Sequence, residues 1–405
     1  MEQLGRFVTL AAASLVLFAC APAPVRAPPV PPPPPKPMTA EALEVALGVL
    51  FASTTAPAMV VAVVRGDQVT VRGYGQLAPG DPRAPNGATL VRLESISKLF
   101  TGQVMANLAV QGRLAAADPL QRYAPADCKV PVVDAAKPIT LTDLATHTSG
   151  LPRIAVIGDI RSPVAAANAR WAWLRRQKGL PAPGDTALYS NIAFDLLADA
   201  LADAAKEPYP AALKRWVTAP LGMVDTTAAP TPEQCHRMMA ANPGGPPKPC
   251  RDDTATIGSG GLYSTAGDMA LWMKQQLAGT DPAVRAAQTM QYQRANLAKA
   301  VGLDHAGPAD GIGLGWIELT ATADHPRLLE KTGGGDGFLT YIALAPDQRV
   351  GVFVAIDKTR LGPTHPLTGG VNALMGDLAV GVPVRPAPPV APVAAPPPAA
   401  ATAVR

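Results

Sequence analysis

The chain has 405 residues, 48% hydrophobic and 16% charged, so it can bury a large core on a surface with fewer charges than usual. Its net charge of +4 comes without a basic run, and only 5% of residues are aromatic, which argues against a nucleic-acid partner. The histidines (His147, His236, His305, His325, His365) are scattered, and no His-x-x-x-His or Cys-x-x-Cys pair occurs, so neither metal nor cofactor is expected.

Arg6 precedes an apolar run from Phe7 to Phe18, which ends in Leu17-Phe18-Ala19-Cys20. The run is short for a bilayer span and fits the apolar region of a signal peptide, placed at 1–19. Leu-x-Ala-Cys resembles a bacterial lipobox, which would lipidate Cys20; the alternative is a plain secretory signal cut near Ala19 or Ala21. Both export the protein. The expected location is the periplasm, lipid-anchored at the outer membrane, with membrane contact only through this segment. Residues 20–38 read as a semi-rigid polyproline tether and 383–405 as a disordered Pro/Ala tail. Residues 21–37 and the tail take 18 of the 45 prolines, so proline is no property of the core between them, 39–382.

Within the core, Ala40 to Ala52 has a helical apolar pattern. Ala58 to Arg65 is a Val-rich strand, Gly66-Asp67 a turn, and Val69 to Tyr74 an alternating partner. Helices follow at 96–113, 140–147, 163–177, 191–205, 208–217, 265–278 and 282–297. Strands return at Gly311 to Leu319, Leu328 to Thr332, Phe338 to Ala345 and Val350 to Ile356, with a hairpin turn at Pro346-Asp347-Gln348. A closing helix covers Val371 to Val380. This order predicts an α+β fold. Strands from both ends join one antiparallel sheet flanked by terminal helices, and a mostly helical lobe, about 100–308, is inserted. A cleft between lobe and sheet is a natural place for a site.

Three segments carry chemistry. Leu93-Glu94-Ser95-Ile96-Ser97-Lys98 sets a serine one helical turn before a lysine, so both share a face. A neighbouring amine can activate a serine hydroxyl. Alone, the pattern fits equally well a helix-capping serine followed by a solvated lysine. The apolar residues that follow (Leu99, Phe100, Val104, Met105, Leu108) make a buried helix, however, where a lysine needs a reason. Tyr189-Ser190-Asn191 stands just ahead of another apolar helix. Lys331-Thr332-Gly333-Gly334-Gly335 ends a strand, offering a fixed cation, a hydroxyl and glycines that admit close backbone approach.

Ser-x-x-Lys, Tyr-x-Asn and Lys-Thr-Gly, in that order, resemble the penicillin-recognising serine hydrolases, which include DD-peptidases and serine β-lactamases. The tyrosine form is similar to the class C β-lactamase branch and its AmpH-type D-alanyl-D-alanine carboxypeptidase/endopeptidases. His147-Thr148-Ser149-Gly150-Leu151-Pro152, Pro220-Leu221-Gly222-Met223 and Gly260-Gly261-Leu262-Tyr263-Ser264-Thr265 support the resemblance, which spans roughly 40–380. It implies Ser95 as nucleophile, Lys98 as base and Tyr189 as proton relay. Asn191, Lys331, Thr332 and Gly333 would bind substrate, and the backbone N–H groups of Ser95 and Gly334 would form an oxyanion hole. Peptidoglycan peptides and β-lactams are the implied partners. Cysteine arithmetic pairs Cys235 with Cys250 across a Pro/Gly-rich loop, a pairing also common in AmpH-like proteins, and leaves Cys128 as a buried thiol. His147 reads as structural. The leading reading is a DD-peptidase; a class C β-lactamase, an esterase on the same fold and a non-catalytic envelope module are the alternatives.

Overall fold

The structure, a computed structural model, describes residues 36–133, 137–157, 162–241, 250–357 and 366–382. The expected signal segment, Cys20, most of the expected tether and the 383–405 tail lie outside the described residues. In chain order the elements are α1 (Ala40–Thr54), β1 (Ala58–Arg65), β2 (Gln68–Gly75), β3 (Leu90–Arg92), α2 (Ser97–Val110), α3 (Leu141–Ala145) and α4 (Pro163–Leu174). Then come β4 (Thr186–Leu188), α5 (Asn191–Ala205), α6 (Tyr209–Leu213), α7 (Pro232–His236), β5 (Tyr263–Thr265), α8 (Ala266–Ala278) and α9 (Pro282–Gln288). The chain continues with β6 (Tyr292–Gln293), β7 (Lys299–Val301), β8 (Gly311–Ile312), β9 (Ile317–Leu319), β10 (Leu328–Gly335), β11 (Phe338–Ala345), β12 (Val350–Asp357) and α10 (Pro366–Ala379).

The main sheet runs β2-β1-β12-β11-β10-β9-β8-β6, and its paired strands are antiparallel. β1 from the beginning of the core pairs with β12 from its end, Val61 opposite Val354. The continuous apolar run of β1 follows from burial on both faces. Val60, Ala62 and Val64 join the core shared with α2, α5 and α8, whereas Met59, Val61 and Val63 join a second core under α1 and α10. β2 lies at the edge, and none of its residues is buried.

Several boundaries differ from the sequence reading. The helix expected at 282–297 stops at Gln288, because the N–H groups of Gln291 and Arg294 bond the carbonyls of Ile312 and Asp310 and draw the chain into β6. The helix expected at 140–147 ends at Ala145, since His147 adopts a φ of +63°. The 208–217 segment divides into α6 and a wider π-type turn, Lys214–Thr218. The 311–319 run is a hairpin of two short strands. β10 extends through Gly335, and α10 begins at Pro366, before the expected Val371.

Candidate active site

Ser95 lies in a 3-10 turn, Glu94–Ile96, that leads into α2. Lys98 is in the first turn of α2 with no exposed surface. Its Nζ lies 3.2 Å from Ser95 Oγ, 2.8 Å from Asn191 Oδ1 and 2.6 Å from the Ser259 carbonyl oxygen. The buried lysine in an apolar helix thus has a set of polar partners, as a buried amine requires.

The second segment is aimed by the loop that holds His147. Leu188 donates its N–H to the His147 carbonyl, and His147 Nδ1 accepts the Ser190 N–H at 3.0 Å. The imidazole stacks on the Tyr189 ring, with centroids 4.5 Å apart. Ser190 caps α5 by accepting from Ala193 N–H, and its hydroxyl donates to the Pro152 carbonyl at 2.7 Å. These bonds turn the Tyr189 hydroxyl onto Ser95 Oγ, to which it donates at 2.6 Å. Burial and the nearby Lys98, Lys331 and Arg153 charges hold His147 well below its usual range, so the ring stays neutral.

The third segment is the end of β10. β9 pairs only with Leu328–Glu330, which leaves β10 unpaired by β9 from Lys331 onward. This part of the strand meets the Ser95 turn, and the Thr340 hydroxyl from neighbouring β11 donates to the Leu93 carbonyl at 2.9 Å. Lys331 is buried, with its Nζ 5.0 Å from the Tyr189 ring centroid. Lys98 Nζ and the Arg153 guanidinium approach the same ring, each at 4.8 Å.

The electrostatics follow from this crowding. Burial lowers the Lys98 pKa; the Lys331 charge adds to that and Tyr189 opposes it. Burial alone would raise the Tyr189 phenol, but the Lys98 and Lys331 charges outweigh it and bring it down to about 7.

The Beta-lactamase family model matches residues 45–373. The chain belongs to the beta-lactamase family. Among its relatives in the family is the D-alanyl-D-alanine-carboxypeptidase/endopeptidase AmpH of Escherichia coli K12, 41% identical over 343 residues, covering 83% of this chain and 88% of the relative. A beta-lactamase of Yersinia enterocolitica is 27% identical, covering 76% of this chain and 84% of the relative. The crystal structure of a beta-lactamase/D-alanine carboxypeptidase from Yersinia pestis complexed with citrate superposes with a TM-score of 0.75 at 41% identity, covering 81% of this chain and 95% of that one.

Of the site residues read from the sequence, Ser95, Lys98, Tyr189 and Asn191 form one bonded group, with Lys331 across the phenol ring. Thr332, Gly333 and Gly334 follow on β10; among the described residues the Thr332 side chain makes no hydrogen bond to that group. Cys235 and Cys250 are joined by a disulfide, and Cys128 is a buried free thiol. Among the described residues no cluster of His, Cys, Asp or Glu could hold a metal, and no helix is long and apolar enough to cross a membrane. Sequence reasoning missed the Ser259 carbonyl, the stacking role of His147, and Arg153. All three lie in or beside segments already marked by the resemblance. A carbonyl and a stacking contact have no residue-type signature of their own.

Proposed function

We propose that this chain is a serine DD-peptidase of the AmpH type, an exported D-alanyl-D-alanine carboxypeptidase/endopeptidase that cleaves peptidoglycan stem peptides through an acyl-enzyme. One observation carries the reading: Ser95 Oγ is held between Lys98 Nζ and the Tyr189 hydroxyl, with a second buried lysine beside the phenol. The 41% identity to AmpH supports the substrate class.

A neutral amine has two N–H bonds and one lone pair. Asn191 Oδ1 and the Ser259 carbonyl take the two N–H bonds of Lys98, which leaves the lone pair for the Ser95 proton. The lowered Lys98 pKa favours that neutral form. Ser95 Oγ then bonds the amide carbon, and its proton passes to Lys98. The carbonyl oxygen becomes an oxyanion facing the Ser95 and Gly334 N–H groups; a donor in that place is typically worth about 3 kcal/mol. As the C–N bond breaks, Tyr189 hands a proton to the leaving nitrogen. Water later attacks the ester and gives its proton to the Tyr189 phenolate; as the acyl–Oγ bond breaks, Lys98 returns its proton to Ser95 Oγ, which restores all three groups. Lys331 and Thr332 receive the substrate's terminal carboxylate.

A class C β-lactamase would use the same groups, and beta-lactamase relatives favour keeping it as the second reading. The two differ in how fast water removes the acyl group. Export through 1–19, lipid attachment at Cys20 and residence in the periplasm belong to this proposal and rest on the leader sequence alone.

Intact mass spectrometry with a penicillin tests the core of the reading. The parent should gain one penicillin mass and Ser95→Ala none. A penicillin adduct on the alanine variant would remove Ser95 as nucleophile. D-alanine release from a pentapeptide with slow nitrocefin turnover supports the peptidase; rapid nitrocefin turnover supports the lactamase.

A further inference from the structure

The residue before the nucleophile, Glu94, is held at a φ of +52°, a left-handed conformation that disfavours side chains with a Cβ and suits glycine. A non-glycine residue kept there by its surroundings is a signal of function.

Its side chain lies across β10. A Cβ added at Gly335 would stand 2.7 Å from Glu94 Oε2, and one at Gly333 would stand 3.1 Å from Glu94 Cβ and 2.5 Å from the Leu93 carbonyl oxygen. Residues 331, 333 and 335 share one face of the strand, so the Glu94 carboxyl covers the face that also carries Lys331. The glycines at 333 and 335 thereby have a physical reason: a larger residue at 335 would displace the Glu94 carboxyl, and one at 333 would strike Thr340 and the Leu93 carbonyl and press on Glu94 Cβ. Between these two glycines is Gly334, one of the oxyanion donors in the reading above, and next to Glu94 in the chain is Ser95, the other.

Glu94 Oε1 is buried with no hydrogen-bond partner. The charges that face it are Arg92 from β3, Lys98 from α2, Asp253 from the loop before β5 and Asp336 from the β10–β11 turn. Arg92 is already committed to other carboxylates: its Nη1 lies 2.5 Å from Asp253 and 3.3 Å from Asp336. Arg251 joins the same two carboxylates, at 2.8 Å each. Glu94 is therefore a third acid in a cluster of two arginines, and among the described residues no cation forms an ion pair with it.

We propose that Glu94 is a positioning residue for the oxyanion pocket: as a neutral acid it seats the β10 glycines against the Ser95 turn, and as an anion it opposes the negative charge that forms there. This deepens the reading given under Proposed function and rests on it. Burial raises the Glu94 carboxyl to about 7, against the pull of Arg92. The neutral form dominates below that pH and the anion above it, so acylation by Ser95 falls as pH rises through this value.

The test is the second-order acylation rate with a fluorescent penicillin, measured on the full chain from about pH 5 to 10. The parent, Glu94→Gln and Glu94→Gly are compared. The parent should show a falling limb with its midpoint near 7. In both variants that limb should vanish or move up by about one pH unit or more. The readout is the position of the limb, which a merely structural role would not move. The glycine variant suits the left-handed backbone, so it keeps the test alive should the glutamine variant fold poorly. A limb unmoved in the variants, or rates scaled by one factor at every pH, overturns the proposal. A parent that is not acylated at any pH overturns the reading beneath it and this inference with it, and is distinguishable from the first result.

Discussion

Replacing Tyr189 by Phe removes one oxygen and little else. The ring keeps its stacking on His147 and its place beside Lys98 and Lys331. What is lost is the 2.6 Å hydrogen bond to Ser95 and the group proposed to exchange protons with the leaving nitrogen. The bond itself contributes about 1 kcal/mol to stability, so the variant should fold. A positioned acid–base group contributes about 10²–10⁴-fold to rate, or roughly 3–5 kcal/mol of barrier. D-alanine release from a pentapeptide should fall by that factor. Tyr189 raises the Lys98 pKa, so its removal lowers it further, and the acid limb of the residual activity should move to lower pH. Steady-state release and single-turnover penicillin acylation across pH provide both numbers. A variant within about threefold of the parent at every pH would refute the relay and leave Lys98 as the sole proton carrier.

The disulfide closes a loop with a sequence separation of 15, for which the chain-entropy model gives ~3 kcal/mol. Thermal unfolding of Cys235→Ser, or of the parent under reductant, should show a lower midpoint, and an unchanged one would count against that stabilisation. Gly333→Ala drives a methyl group to 2.2 Å from Thr340 Oγ1 and 2.5 Å from the Leu93 carbonyl oxygen. Overpacking of this kind costs about 1–3 kcal/mol, so both the melting midpoint and the acylation rate should drop. Normal values of both would show that β10 can shift freely.

Where the sequence was informative, the reason was periodicity over a long enough run. β1, β11 and β12 are eight residues each and mostly apolar, and α5 was bounded at Asn191 and Ala205 because Ser190 caps it. β3 and β5 went unread, since three residues cannot display alternation; their pairing of Val91 with Ser264 depends on distant chain. The overrun past Gln288 has the same cause, because the partner that captures Tyr292 is Ile312. At the site, the reactive side chains were legible as residue types at fixed spacings. The Ser259 carbonyl, the His147 ring and the Glu94 carboxyl act through place, and place is set by contacts between segments far apart in the chain.

Ser95 and Lys98 are made early, whereas the strand that faces them is made late. A polypeptide cut short before Leu328 would hold Ser95 and Lys98 yet lack Lys331, the glycines after it, and the partner that β1 needs in β12. Such fragments carry a serine with no pocket around it. Assembly of the full group around Ser95 therefore waits for the last hairpin of the chain.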